Sequence, residues 1–567
     1  MRHILDYIKK YPLLLFLIIT GFFVHMLIIL PSGTFICTKV ACGYQFWGVH
    51  GHDSIWHLAI VNVSFNTFPF QAPTYAGVEL SGYNYLLDLV IFLLSKSGLS
   101  SLFIYFKLLP IMWFVLFTAL LIALGRKIKD SPLFVTIFLF ISYFAGSFSY
   151  ILTIIHDGTL KGSSTLLPLH AMHSMSNLPY AFSLLIFLSL LILVKDKKVS
   201  VGKVILMAVL IFFNLGMKFY AGAVSSFLVG IYLITIFSEI GIKKFLTYTL
   251  IVVSGAFFGI LLFYDPFNSF KTGSIFAFVP LALIHPITED PGMFYLQSMT
   301  DARYFLNTVG IGPRLIGIEI LNIFLFLFFY LGIRFFGFIY IVYLFFKRKL
   351  TKYDTILILT TIFSFTLTAT LVQKAEWWNT IQFFFYGLFI LTIYVSRGVE
   401  ELITKKSIIS VFIALCLLLS SLPASFDVMR LFASFPGAAY VSKIEMGALE
   451  FLKNQPDGVV LAPLYNKSWK KFDETNPLYR YEDTSYIPAF SQKPVYLADI
   501  LQLRLTGVNY EKRLERLQKF DCSILKEVDY IYEIRHIENE GRFVACAPHK
   551  MKKIFNGEEV FIYAISH

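Results

Sequence analysis

Charge is scarce in this chain of 567 residues: Asp, Glu, Lys and Arg together make up 15%, against 57% hydrophobic and 17% aromatic residues. An ordinary soluble domain carries about 25% charged residues, so that class is excluded. The five cysteines are too few for a disulfide-built scaffold, and none falls in a zinc pattern. No glycine-rich phosphate loop, kinase signature, nucleophile elbow or HExxH occurs, which argues against a soluble nucleotide enzyme. There is no tandem-repeat period and no low-complexity tract. A duplicated half with matching broken helices, the mark of many secondary transporters, is also missing.

What the chain does have is long apolar runs, and its mean hydropathy is +0.69. The opening "MRHILDYIKKYPLLLFLIITGFFVHMLIILP" joins a basic head to a run long enough to span a bilayer, with no small-residue cleavage site after it. It reads as a retained first helix of a polytopic membrane protein.

The net charge of +12 is unevenly placed. Residues 426–567 hold 19 Lys and Arg against 19 Asp and Glu, leaving 29 against 17 in residues 1–425. The excess therefore belongs to the apolar part, in the clusters "RHILDYIKK", "GRKIKD", "KDKKVSVGK", "IGIKK", "KRKLTK" and "RGVEELITKK". Basic clusters between apolar runs follow the positive-inside rule, so the charge speaks for membrane topology and against nucleic acid.

Eleven spans place all six clusters on one side: 13–31, 101–124, 132–150, 179–194, 203–217, 221–237, 245–263, 317–346, 353–372, 381–396 and 407–423. Counting "YLLDLVIFLL" as another span would break that alternation, so 83–97 is expected to lie as a helix at the outer interface. The N-terminus is then cytoplasmic, and the outward segments are 32–100, 151–178, 264–316, 373–380 and everything after about 424. Cys37 and Cys42, and likewise Cys522 and Cys546, fall on the face where a disulfide can persist; unpaired thiols are the alternative. After residue 423 hydrophobicity falls and short β-type runs such as "VDYIYEI" alternate with the charged helical run "NYEKRLERLQKF". The expected fold is thus an α-helical membrane domain over 1–423 and a small extracytoplasmic α/β domain over 424–567.

The outward segments hold the unusual polar residues. "GVHGHDSIWHLAI" gathers His50, His52, Asp53 and His57 in eight positions. An acid there can serve as a general base toward an acceptor hydroxyl. With 52–57 helical, Asp53 and His57 share a face at i and i+4, and with His50 or His52 they would suit a divalent metal; the plainer alternative is polar loop residues that hydrogen-bond the backbone. Lys218, in "NLGMKFYAG", is the most isolated cation in an apolar context, suited either to a phosphate or to snorkelling. Arg303 and Arg314, near Glu289, Asp290 and Asp301, with Arg334 deeper, offer forks for a phosphate or ordinary salt bridges. Trp377, Trp378, Asn379 and Gln382, beside Glu376, form an aromatic belt or a sugar-stacking platform. The loop with His156, Asp157, His170 and His173 reads as a cover. Glu482 and Asp483 in "RYEDTS" read as solvated surface groups.

This arrangement resembles the GT-C superfamily of integral membrane glycosyltransferases, which includes aminoarabinose transferases and protein O-mannosyltransferases. "GHDSIWHL" is similar to the acidic segment of the family's first outer loop, "GYNYLLDLVIFLLSKSGLSSLFIYFKLLPIMWFVLFTALLIALGRKIKD" to its interfacial helix and second span, and "NLGMKFYAGAV" to a later segment with a lysine at the outer end of its span. The similarity covers roughly residues 1–420 and is strongest in the first 130. Two features depart from relatives: no basic residue stands in "VELSGYNY", and a lone Asp53 replaces paired acids. The resemblance implies a sugar donor carried on a polyprenyl phosphate, and transfer with inversion on the outer face to a glycan, lipid or protein acceptor. Asp53 would be base or metal ligand and Lys218 would neutralise the donor phosphate. The rival readings are a transporter or flippase of lipid-linked sugars, and a catalytically inactive relative.

Overall fold

The structure is a computed structural model, which describes residues 2–39, 42–167, 171–196, 198–269, 275–471, 474–535, 537 and 540–566. His170 lies outside them, as does the side chain of His173. Among the described residues eight helices are long and apolar enough to cross a membrane, and a ninth span results if Pro132–Phe144 and Ser149–Asp157, bent by 47°, cross together. The chain is a multi-pass α-helical membrane protein with strand-containing structure toward its C-terminus. The expected spans 203–217 and 221–237 are present as the shorter apolar helices Val201–Met217 and Phe219–Thr235. The expected span 317–346 is two helices, Pro313–Leu331 and Arg334–Phe346. Gly332 separates them with φ +57°, a conformation that ends a helix, and a Cβ there would run into the Gly146 carbonyl.

The chain divides into two compact units. One comprises Met1–Met26, Met112–Ile260 and Ser274–Arg430. Its centre is the helix Ile381–Thr404, packed by Arg334–Phe346, Lys352–Thr370, Pro132–Phe144 and Ile408–Ser420. Gly337 lets the first of these approach closely, since a Cβ there would stand 2.7 Å from the Leu391 carbonyl oxygen. Buried charges in this unit are tied off. Arg334 donates to Thr392 Oγ1 at 3.0 Å and to the Ala145 carbonyl. Asp354 closes the N-terminal capping box of Lys352–Thr370 with Thr351 and pairs with Arg397 at 2.8 Å.

The other unit comprises Leu27–Ile111, Leu261–Gly273 and Leu431–His567. Its first sheet runs Thr34–Cys37, Cys42–Phe46, Ala439–Ser442, Asn476–Pro477, with Gly43 opposite Ser442 and Phe46 opposite Ala439. Its second runs Val460–Leu461, Tyr530–Ile534, Val560–Ile565, Met551–Asn556. The apolar core beneath the second sheet takes Leu461, Leu517, Ile524 and Ile531 from the tail and Ala72 and Tyr75 from the first outer segment. Segments far apart in sequence therefore build one core. Cys37 is bonded to Cys42, and Cys522 to Cys546. A helix spans Leu86–Ser95, within the stretch expected to be interfacial.

Candidate active site

The segment after the first helix is fixed by polar contacts that apolar surroundings strengthen. Lys107 donates to Thr34 Oγ1 at 2.7 Å, to the Ser32 carbonyl at 3.0 Å and to the Leu30 carbonyl, satisfying oxygens that the helix end leaves open. Ser32 Oγ in turn meets His50 Nδ1 at 2.8 Å and accepts the Trp47 N–H at 3.1 Å. His50 is fully buried, its ring between Phe106 and Phe432. At Gly51 a Cβ would stand 3.0 Å from the Tyr481 ring and 3.2 Å from the Ala439 Cβ, so glycine lets the chain pass closely there on its way to His52.

Asp53 opens the helix Asp53–Val63, where a negative charge suits the helix dipole. Its side chain keeps 40% exposure, while its neighbour His52 is buried. His52 Nδ1 lies 3.0 Å from Asp53 Oδ1, and Nε2 lies 3.6 Å from Asp499 Oδ1. Burial alone would favour the neutral ring; the two carboxylates outweigh it and hold the pKa of His52 well above its ordinary value. Asp499 is itself fully buried, accepts from Ser485 Oγ and caps the helix Ile500–Leu505. Behind it, Asp483 accepts the backbone N–H groups of Asp499 at 2.9 Å and Ile500 at 2.8 Å. Burial, with Asp499 adding to it, pushes the Asp483 carboxyl up to about 6.

Asp483 is thus no solvated surface acid. Its two acceptor oxygens are spent on a backbone turn, whereas Glu482 does stand at the surface, 3.2 Å from Lys470.

His57 turns away from Asp53. Its Nδ1 sits 2.9 and 3.1 Å from the two oxygens of Asp88, a fully buried carboxylate in the helix Leu86–Ser95. The residues that offered a metal set as one of two readings have different partners: His50 with Ser32, His52 with Asp53 and Asp499, His57 with Asp88. Among the described residues no group of three or more His, Cys, Asp and Glu side chains is placed to hold a metal ion. His52 already lies between the Asp53 and Asp499 carboxylates and His57 faces Asp88, so the four side chains as placed do not converge as a ligand set for one divalent ion.

The other candidates lie in the first unit. Lys218, 9% exposed, joins Val201–Met217 to Phe219–Thr235 in extended conformation, φ −157° and ψ 128°. Two residues on, Tyr220 donates its hydroxyl to Gln373 Oε1 at 2.9 Å; Asn379 Nδ2 reaches the same oxygen at 3.1 Å, and Gln382 Nε2 reaches Asn379 Oδ1 at 3.3 Å. The lysine segment and the Trp377–Gln382 segment are thereby brought together, with Trp377 and Trp378 48% and 44% exposed. Arg303 is elsewhere engaged: Nε to Glu319 at 2.8 Å, NH1 to Glu289 at 2.6 Å, NH2 to His285 Nδ1 at 2.8 Å. Arg314 is exposed at an apolar groove lined by Met299, Phe305 and Leu321.

Asp88, Asp499 and the structural role of Asp483 escaped the sequence reading. Asp88 carried a signal, a single acid inside "YLLDLVIFLL", where an ionisable group needs a partner. Asp499 sits in "YLADI", a run with nothing to distinguish it from a surface turn.

No family model matches the sequence, and no curated protein matches it either. Solved structures do. The chain is similar to the ArnT of Cupriavidus metallidurans bound to undecaprenyl phosphate, with 10% identity, 97% of each chain covered and a TM-score of 0.43. It is also similar to the apo form of the oligosaccharyltransferase of Archaeoglobus fulgidus, with 12% identity over 98% of this chain and 74% of that one, and a TM-score of 0.50. The chain thus shares the overall fold of that oligosaccharyltransferase, in keeping with the fold that the resemblance of residues 1–420 implied.

Proposed function

We propose that this protein is a membrane glycosyltransferase that takes a sugar from a polyprenyl-phosphate-linked donor and transfers it, with inversion, to a hydroxyl-bearing acceptor on a glycan, lipid or protein. The observation that carries the reading is Asp53: a part-exposed carboxylate at a helix start, held by a buried histidine that is itself anchored by Asp499. Such an acid is oriented by its neighbours yet open to a substrate. The fold shared with an oligosaccharyltransferase supports the class.

In the reaction the acceptor O–H gives its proton to the Asp53 carboxylate while its oxygen bonds to the anomeric carbon. The bond from that carbon to the phosphate oxygen breaks, and the electron pair leaves with the polyprenyl phosphate. Direct displacement inverts the centre, by the same logic that separates inverting from retaining glycosidases. Lys218 is assigned to neutralise the departing phosphate, with Arg314 as a further cation. Arg303 can join only by exchanging Glu289 or Glu319 for the phosphate. Trp377, Trp378, Asn379 and Gln382 are assigned to the sugar, through ring stacking and amide hydrogen bonds. No step needs a metal. In this reading the chain is a multi-pass protein of the plasma membrane, with the N-terminus cytoplasmic and the tail over 424–567 on the outer face.

The test is transfer of radiolabelled sugar from a panel of polyprenyl-phosphate donors in membranes holding wild type or Asp53→Asn, each with and without chelator. Transfer by wild type that falls about 10³-fold in the variant and ignores the chelator is the expected result. Equal transfer by both proteins removes Asp53 from the chemistry.

A further inference from the structure

A cavity of about 350 Å³ opens in the second unit beside the strand Tyr530–Ile534, and its lining includes Tyr465, Asn466, Trp469, Glu533, Glu540 and Phe543. Successive side chains of a strand alternate between faces, so Glu533 shares its face with Ile531, a member of the apolar core. That is a position for an aliphatic residue, yet it holds a carboxylate only 9% exposed. Among the described residues one hydrogen bond reaches it, from the Gly541 N–H to Oε1 at 3.1 Å. A buried carboxylate so thinly satisfied costs stability unless something else donates to it, and the cavity is where a donor would arrive.

The rest of the lining narrows the chemistry. Trp469, Tyr465 and Phe543 present aromatic surface. Asn466 spends its oxygen on Ser468, accepting from the N–H at 3.0 Å and from Oγ at 2.9 Å, so its N–H groups are what it offers a ligand. The charge around the cavity is balanced, with Lys467 in the lining and the Arg542 guanidinium over the Phe520 ring at 4.5 Å standing against Glu533 and Glu540, so neither a cation nor an anion is favoured. Aromatic faces, a buried acceptor and amide donors together suit a ligand with an apolar C–H face and hydroxyls that donate and accept. We infer that this cavity of the C-terminal region is a binding site for a neutral saccharide, with Glu533 accepting from its hydroxyls and Trp469 stacking on its ring. Burial raises the pKa of Glu533 and the single N–H from Gly541 only partly offsets this, which suits hydrogen bonding to an uncharged ligand. The site lies outside the Asp53 chemistry and does not rest on it.

Saturation-transfer NMR on the full chain in detergent micelles, with methyl β-glucoside, methyl α-mannoside and N-acetylglucosamine dimer as probes, tests the inference. At least one probe is expected to bind wild type, to bind Trp469→Ala and Glu533→Gln at least tenfold more weakly, and to bind Asp53→Asn as wild type. Melting curves establish that the variants are folded, and Glu533→Gln keeps the side chain's shape where Ala would not. Absence of binding by every probe to folded wild type overturns the inference. So does binding unchanged in both cavity variants, binding lost only in Asp53→Asn, or spermidine occupying the cavity in place of the sugars.

Discussion

Asp499 approaches His52 from the side of the imidazole opposite Asp53, its Oδ1 3.6 Å from Nε2. Two carboxylates therefore share one charged ring, and removing either acid changes what the ring can do for the other. Asp499→Asn should leave Asp53 in place but weaken its orientation, lowering kcat about tenfold with little change in acceptor KM, while Asp53→Asn lowers kcat about 10³-fold. Steady-state kinetics on purified variants separates the two. Equal losses in both would mean that Asp499 takes part in the reaction itself.

The same pairing ties stability to pH. The folded-state pKa of His52 lies above its unfolded value, so the stabilisation is fully present below about pH 6.5 and is lost as pH rises through the raised folded value. Asp53 is part-exposed and its share is screened, so an effect of about 1 kcal/mol is expected. The melting temperature of wild type should fall by a few degrees between pH 6.5 and 9, and His52→Gln should flatten that segment of the profile. A profile with the same slope in both proteins assigns the dependence to another group.

Much of the architecture was legible in the sequence because its signals are local. Apolar runs mark the membrane helices, and "GHDSIWHL" stands out as a polar stretch beside them. The breaks were less visible: Gly332 splits one long apolar run through a close approach to Gly146, which no local pattern reports. Long-range pairing was the least visible. Residues 42–46 pair with 439–442, and Ala72 and Tyr75 enter a core otherwise built by the tail, although a composition shift near residue 424 reads as a clean boundary. For the same reason the four-residue cluster of histidines and acid left two readings open, a metal set or polar loop residues. Proximity in sequence did not say that His57 would turn to Asp88 and His52 to Asp499.

His57 and Asp88 form a pair without solvent: both side chains are at most 2% exposed. Removing one partner of such a pair leaves an uncompensated polar group, at a cost of about 3 kcal/mol or more. Asp88→Ala is expected to lower stability by that amount, and His57→Phe with Asp88→Leu, which replaces both by apolar groups, should recover a large part of it. Thermal unfolding of His57→Phe, Asp88→Leu and the variant carrying both reads the coupling directly. Additive losses would show that the pair contributes nothing as a pair.

Lys218 and Tyr220 stand two residues apart at one buried helix junction, but only the lysine brings charge to it. On the proposed mechanism its ammonium acts on the phosphate as the bond to the sugar breaks, so Lys218→Gln should lower kcat about 10²-fold, whereas Tyr220→Phe, which removes one hydrogen bond to Gln373, should cost less than tenfold. Lys218→Arg keeps the charge and should restore a large part of the rate. A rate insensitive to all three would detach Lys218 from the donor.

Cys522 and Cys546 close a loop of 24 residues that carries the helix Arg542–Cys546, one side of the saccharide cavity. A crosslink of that length restricts the unfolded chain by about 3 kcal/mol, most of it loop-closure entropy. Replacing both cysteines by serine should therefore lower the melting temperature of the unit containing Leu431–His567. It should also loosen Phe543 against Phe520, rings now 5.6 Å apart, and weaken saccharide binding without touching transfer at Asp53. The Cys37–Cys42 bond spans only 5 residues and by the same relation restricts the unfolded chain by about 2 kcal/mol, so its loss should lower the melting temperature less than loss of the longer bond. A large destabilisation from the short bond together with a small one from the long bond would contradict this ordering and point to native-state packing at the hairpin as the source of its stability.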